Sequence, residues 1–399
     1  MEKIKERQNE AKILSSRTVN RIGNVMYDYG NSTWIAGLGM VSQKYMGYYQ
    51  LAENLISLIL NPIGGAVADR FQRRRILLVT DFIGGVMCLL LAFVGRDDLM
   101  LYGLIAVNGM LAILHAFAGT SFRSYVATIV DKERLVSFNA KLEMISQVVS
   151  ISSPLFAYLY VDRFGLRPTL ILDSITFFLS FLLIFSIREK ELIPDEKGEP
   201  VTVRGLLADI WEGLVFVWTQ KDVFFLLVVA SLVNFFIAAF NYLAPFSNVL
   251  LDNASGYATM LTMGAAGAMV GAAIANRIFK NSYKSMLLSL GLCGVGLMSI
   301  TLWGTLKMSI YLITSGNLIF ECFLTIFNIH FFSLAQKKVP NHMLGRVFSS
   351  IFTVAIILMP VSTAIMTLLP GAVHIGMFAV IGAGVIFLSV VGYLVSKRQ

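Results

Sequence analysis

Runs of about twenty apolar residues recur from one end of this chain to the other, with the charges gathered between them. Each run is long enough to cross the roughly 30 Å hydrocarbon core of a bilayer. No water is available there, so backbone N–H and C=O groups must pair within the protein, which leaves helices or closed barrels. The runs are about twice as long as a barrel strand and lack its alternation, so the spacing predicts helices. Composition agrees. The 399 residues are 56% hydrophobic and 14% charged, with mean hydropathy +0.73, whereas soluble domains carry about 25% charged residues.

Twelve spans are predicted, at 17–41, 46–68, 76–95, 99–122, 138–160, 166–187, 223–250, 254–278, 283–303, 309–334, 343–369 and 373–395. The longest polar connection divides them six and six. The expected organisation is a six-helix half over 1–188, a linker over 189–221 and a second half over 222–399. The linker opens with charged residues, Gly198 and Pro200, as an exposed segment does. It then places Leu206, Leu207, Ile210, Trp211, Leu214 and Val217 at helical spacing, which predicts an amphipathic helix on the membrane surface. The halves read as repeats: Gly64-Gly65-Ala66-Val67-Ala68-Asp69-Arg70 ends span 2, and Gly271-Ala272-Ala273-Ile274-Ala275-Asn276-Arg277 ends span 8.

A net charge of +8 would suggest nucleic acid in a soluble protein. Here it follows the excess of Lys and Arg in cytoplasmic loops. With the N-terminus inside, only Lys44, Arg96, Arg163, Arg167 and Lys307 of the 32 basic residues fall outside. Both termini are then cytoplasmic, in a multi-pass protein of the inner (cytoplasmic) cell membrane. Residues 1–12 are charged and lack the apolar core of a signal peptide, so span 1 is expected to be retained. The three cysteines lie inside spans with no CxxC, which argues against a disulfide framework or a metal site. Neither HExxH, GxSxG nor a phosphate-binding P-loop occurs, so no enzyme and no cofactor are expected.

Between spans 2 and 3 the chain reads Gly65-Ala66-Val67-Ala68-Asp69-Arg70-Phe71-Gln72-Arg73-Arg74-Arg75, and Asp81 follows six residues on. Small residues let helices approach closely, and charge this dense must sit in water. This stretch resembles the loop between the second and third spans of the major facilitator superfamily, with Gln72 where that loop usually has Gly. Thr120-Ser121-Phe122-Arg123, Leu172-Asp173 and Gly345-Arg346 are similar to its branch of macrolide-efflux-type drug exporters and the bacterial siderophore exporter. The antiporter signature of span 5 is Gly-rich, whereas Ser150 to Tyr158 keeps only Pro154. The resemblance implies an all-α fold of two six-helix halves, with spans 1, 4, 7 and 10 lining a central cavity. It also implies that Gly65, Asp69, Arg70, Arg73, Asp81 and Arg123 act in gating.

Those four spans carry polar stripes. Asn20, Asn24, Asp28 and Asn31 are spaced four, four and three apart, and Asn317, Glu321, Thr325 and Asn328 share one face likewise. Asn234 and Asn241 lie seven apart, as do Asn108 and His115. These are the expected cavity-lining residues; interhelical hydrogen bonding is the plainer use of such side chains. A charge at the bilayer centre costs about 2.5–3.5 kcal/mol on insertion scales. Asp28 and Glu321 sit near mid-span, and Glu53 lies in the outer half of span 2. They are the candidates for proton coupling or for binding a cationic substrate, because a carboxylate removed from water exchanges a proton more readily near neutral pH.

The resulting expectation is a monomeric secondary transporter exporting amphipathic neutral or cationic drugs or metabolites against protons, in a multidrug or macrolide manner. A siderophore or lipid exporter and a non-transporting receptor or scaffold are the alternatives. One test follows from the loop alone. Asp69→Asn should weaken closure on the cytoplasmic side. Cysteines introduced on the two cavity faces should then label faster from the cytoplasm and more slowly from outside; unchanged labelling on both faces would leave Asp69 with a topogenic role.

Overall fold

The computed structural model describes residues 2–70, 72–131, 133–187, 211, 215–278, 282–339 and 344–396, without side-chain detail at 2–5, 62–70, 276, 278, 344–346 and 349. The described residues are helical with no strand. The helices are α1 (Glu2–Ala36), α2 (Ser42–Arg70), α3 (Arg73–Ala92), α4 (Asp97–Ile129), α5 (Leu135–Phe164) and α6 (Leu166–Phe185). After the connection come α7 (Lys221–Leu243), α8 (Gly256–Ile278), α9 (Tyr283–Thr305), α10 (Ile310–Lys338), α11 (Leu344–Ala355), α12 (Leu358–Leu368) and α13 (Gly376–Ser396). Ten helical segments among the described residues are long and apolar enough to cross a membrane; α1 and α2 are not among them. The polar stripe of α1 lowers its apolar content. Of the expected linker helix, Trp211 and 215–219 are described and helical; the rest lies outside the described residues.

Several helix ends differ from the sequence expectation for identifiable reasons. The sequence predicts the first span at 17–41, but α1 runs back to Glu2 and stops at Ala36, before Gly37 and Gly39. The eleventh span breaks in two at 356–357. Pro360 lacks an N–H, and its ring crowds the carbonyl four residues back, at Ile356. α5 passes to α6 through Gly165 alone, whose φ of 80° is readily open only to a residue without Cβ.

The chain forms two compact units, one of 1–35 and 52–206, the other of 36–51 and 207–399. In the first, α3 packs on α6 and α4, and Ile13, Leu77, Phe122, Tyr125, Phe138 and Ile184 share a buried core. The segment 36–51 packs within the second unit. Gln43 Nε2 donates to the carbonyls of Met366 (3.0 Å) and Leu369 (2.7 Å), and the Tyr242 hydroxyl donates to the Gln43 carbonyl.

In the second unit α8 and α9 both pack along α10, and α9 along α13. The α8–α10 contact is made backbone to backbone. A Cβ on Gly267 would run into the Leu318 carbonyl, and one on Gly271 into the Cys322 carbonyl. Lipid tails are as apolar as leucine, so helices in a bilayer associate through such close packing. Gly271→Leu is therefore expected to destabilise the protein by about 1–3 kcal/mol, the usual overpacking range. Gly119→Ala on α4, where a Cβ meets nothing within 4 Å, should change stability little. Thermal unfolding in detergent checks both.

Candidate functional site

The stripe on α1 divides by burial. Asn31 is fully buried, Asn24 half-buried and Asp28 exposed, so the carboxylate is the accessible member. Asp28 interacts electrostatically with two like charges, Glu53 on α2 and Asp173 on α6, and with Arg21 as the cation on its own helix. Glu53 is also exposed, and the buried Asn108 of α4 points its Nδ2 at Glu53 Oε2 at 3.5 Å. The structure thus brings together Asp28, Glu53 and Asn108, which the sequence nominated separately, and adds Asp173.

Two carboxylates of the same unit are sealed instead. Asp81 is 6% exposed and accepts from Ser180 Oγ at 2.6 Å and Asn20 Nδ2 at 3.1 Å. Ser180 Oγ in turn bonds Asn20 Nδ2 at 3.0 Å and Ser16 Oγ at 2.7 Å. Arg17 is the cation that interacts with Asp81. Beside this network lies a cavity of about 30 Å³ whose wall includes Arg17, Asn20, Asn24, Asp81 and His115. Asp173 is 0% exposed; its Oδ2 accepts from Cys88 Sγ at 3.3 Å and its Oδ1 from Thr176 Oγ1 at 3.3 Å. It packs on Gly23 of α1, where a Cβ would meet Asp173 Oδ1 at 2.5 Å.

In the second unit Glu321 is half-buried on α10, with its Cγ 3.1 Å from where a Cβ on Gly264 of α8 would stand. Among the described residues no cation pairs with it. Asn317, one turn earlier, is buried and donates Nδ2 to the Met260 carbonyl at 2.8 Å, which ties α10 to α8. Asn234 bonds its own helix at Ala230 O (3.0 Å), while Asn241 and Asn328 are exposed.

The gating candidates are less complete. The side chains of Gly65, Asp69 and Arg70 lie outside the described residues. Arg73 is half-buried and Arg123 exposed. Neighbouring Arg74 donates Nη2 to the Phe185 carbonyl at 2.7 Å, which docks the start of α3 on the end of α6. Among the described residues no cluster of His, Cys, Asp and Glu fits a metal ion.

Apolar helices that carry carboxylates and amides along their length define a polytopic membrane protein. The chain belongs to the Major Facilitator Superfamily, whose family model matches residues 22–363, and it is a transporter of that superfamily. Relatives include the macrolide efflux protein A of Streptococcus pyogenes, 24% identical over 76% of this chain and 75% of that protein. The uncharacterised MFS-type transporter YfiS of Bacillus subtilis is 23% identical over 85% of this chain and 81% of that protein. The multidrug resistance protein MdtG of Salmonella typhi is 26% identical over a stretch covering 39% of this chain and only 37% of that protein. Among solved structures, the POT family transporter PepTSo superposes with a TM-score of 0.75 at 13% identity, over 98% of both chains. A bacterial homologue of the iron transporter ferroportin, inward-facing, gives 0.72 at 15% identity over 96% of this chain and 98% of that one. The family and fold are those of membrane transporters.

The sequence singled out Asn20 and Asp81 but gave no sign of Ser16, Ser180 or Cys88, since small residues inside apolar runs look like packing. Their role is testable. Ser180→Ala removes a donor to a buried carboxylate and should cost about 1–2 kcal/mol. A denaturant titration in mixed micelles reads this, and an unchanged midpoint would show that Asp81 draws its support elsewhere.

Proposed function

We propose that the protein is a secondary active exporter that couples outward movement of neutral or cationic amphiphiles to inward proton flow by alternating access. The observation that carries this reading is Asp28, an accessible carboxylate with Glu53 and Asp173 as like-charged neighbours. A like charge nearby disfavours the ionised form, and binding a proton or a cationic substrate relieves that repulsion. Glu321, without a cationic partner among the described residues, supplies a second such group in the other unit. Spending insertion energy on carboxylates has a use in a transporter and none in a scaffold. The efflux names among the relatives support export of drug-like cargo. In this reading the protein is a monomer in the cytoplasmic membrane with both termini inside. Its two six-helix halves, joined by the linker over 189–221, rock about the central cavity.

The test is transport in proteoliposomes under an imposed pH gradient. Asp28→Asn and Glu321→Gln keep shape and hydrogen bonding but cannot cycle a proton. Both should lose gradient-driven accumulation while the purified protein stays monodisperse; wild-type pumping by both variants would remove them as coupling groups. A matched pair of fluorescent substrates differing mainly in charge tests the cargo. The lipophilic amine should move faster than its anionic partner, and the reverse order would favour a siderophore or lipid exporter.

A further inference from the structure

The first unit holds a second, larger cavity whose wall carries an excess of positive charge. It lies between α1, α4 and α5, has a volume of about 600 Å³ and is lined by Arg17, Arg21 and Arg123. Among the described residues Glu143 is the one carboxylate in its wall, and it accepts from Gln147 Nε2 at 2.7 Å. Arg17 and Arg21 are four apart on α1, so their side chains emerge on one face, the spacing at which like charges destabilise a helix. Arg17 stands 5.0 Å over the Phe122 ring and Arg21 donates to Ser150 Oγ at 3.3 Å. Both contacts hold a guanidinium in place without cancelling its charge. Asp81 interacts electrostatically with Arg17, accepts from Ser180 and Asn20 and lies outside this wall. Nearby Glu10 pairs with Arg134 at 2.7 Å, outside this wall. The remainder of the wall is largely apolar, with Val126, Leu135, Leu142 and Val149.

We infer that this cavity is a binding site for an anionic amphiphile, with a phosphate or carboxylate head on the arginines and an acyl chain along the α4–α5 wall. Guanidinium groups suit such heads because their forked donors match the paired oxygens. The three arginines outnumber Glu143 in the wall, an anionic head offsets that excess, and the apolar wall accounts for a chain rather than a free ion. Asp28 interacts with Arg21 but is not part of this wall, so ligand binding, not proton-driven transport, is the readout of the site.

The experiment is binding of dihexanoyl phosphatidic acid to the full-length protein in detergent, with dihexanoyl phosphatidylcholine and inorganic phosphate as comparators. Phosphatidic acid should bind at least about tenfold more tightly than either, and more weakly as salt rises. Arg21→Gln with Arg123→Gln should lower its affinity about tenfold or more, the loss of one to two charge-assisted contacts. Because that double variant removes two charges and can unsettle the fold, Arg21→Lys with Arg123→Lys serves as the second variant and should retain more affinity than the Gln pair. Equal binding of the two lipids, or equal affinity in wild type and the Gln pair, overturns the site. Two arms identify the source of the ligand. If it is a resident membrane lipid, transport of a cationic dye changes with the phosphatidylglycerol content of the vesicles while labelled phosphatidylglycerol stays in its leaflet. If the anion is cargo, the labelled lipid crosses. That second result supports this site and overturns the cationic preference proposed above, so the two readings fail separately.

Discussion

Contact between the α8 and α10 backbones is the constraint on which the second unit depends. Gly267 and Gly271 meet the carbonyls of Leu318 and Cys322, and those contacts fix the register of the two helices. Asn317 falls opposite Met260 as a result, and Glu321 falls opposite Gly264. The carboxylate lies between two contacts that admit no side chain, so its place is set by packing it takes no part in. A functional side chain held in place by the packing around it is supported in this way.

The first unit treats its carboxylates in two ways. Asp81 and Asp173 are closed off and given donors, a hydroxyl and an amide for one, a thiol and a hydroxyl for the other. These bonds crosslink α1, α3 and α6 at the cost of burying a polar group. Asp28 and Glu53 remain accessible, with Asn108 directing its Nδ2 at Glu53. Residues of one chemical type in one helical bundle thus divide into buried, hydrogen-bonded and accessible sets according to how many neighbours satisfy them.

How much of this was legible in the sequence depends on the range of the interaction. Apolar runs and the four-residue spacing on α1 are local, so the helices and the polar stripe could be read directly. The break at 356–357 was also local, but Pro360 inside a long apolar run signals a kink as readily as an interruption. The partners of the stripe were not readable. Asn20 and Asp28 look equivalent on a helical projection; one meets Ser180 and Asp81, the other stays open, and only the positions of α3 and α6 decide which. The arginine cavity is similar. Arg17 and Arg21 share a visible spacing, whereas Arg123 joins them across more than one hundred residues of chain. The gating loop was the clearest signal in the sequence, yet the side chains of Gly65, Asp69 and Arg70 lie outside the described residues.

All three cysteines are buried, and Cys88 is further engaged with Asp173. A thiol reacts only as the exposed thiolate, so the folded protein presents no reactive sulfur to either side of the membrane. Modification of a native cysteine has to wait for its helices to part. The rate at which a small maleimide consumes Cys88, set against Cys293 and Cys322, is therefore a measure of how often each unit breathes. The molecule carries one such internal clock in its first unit and two in its second.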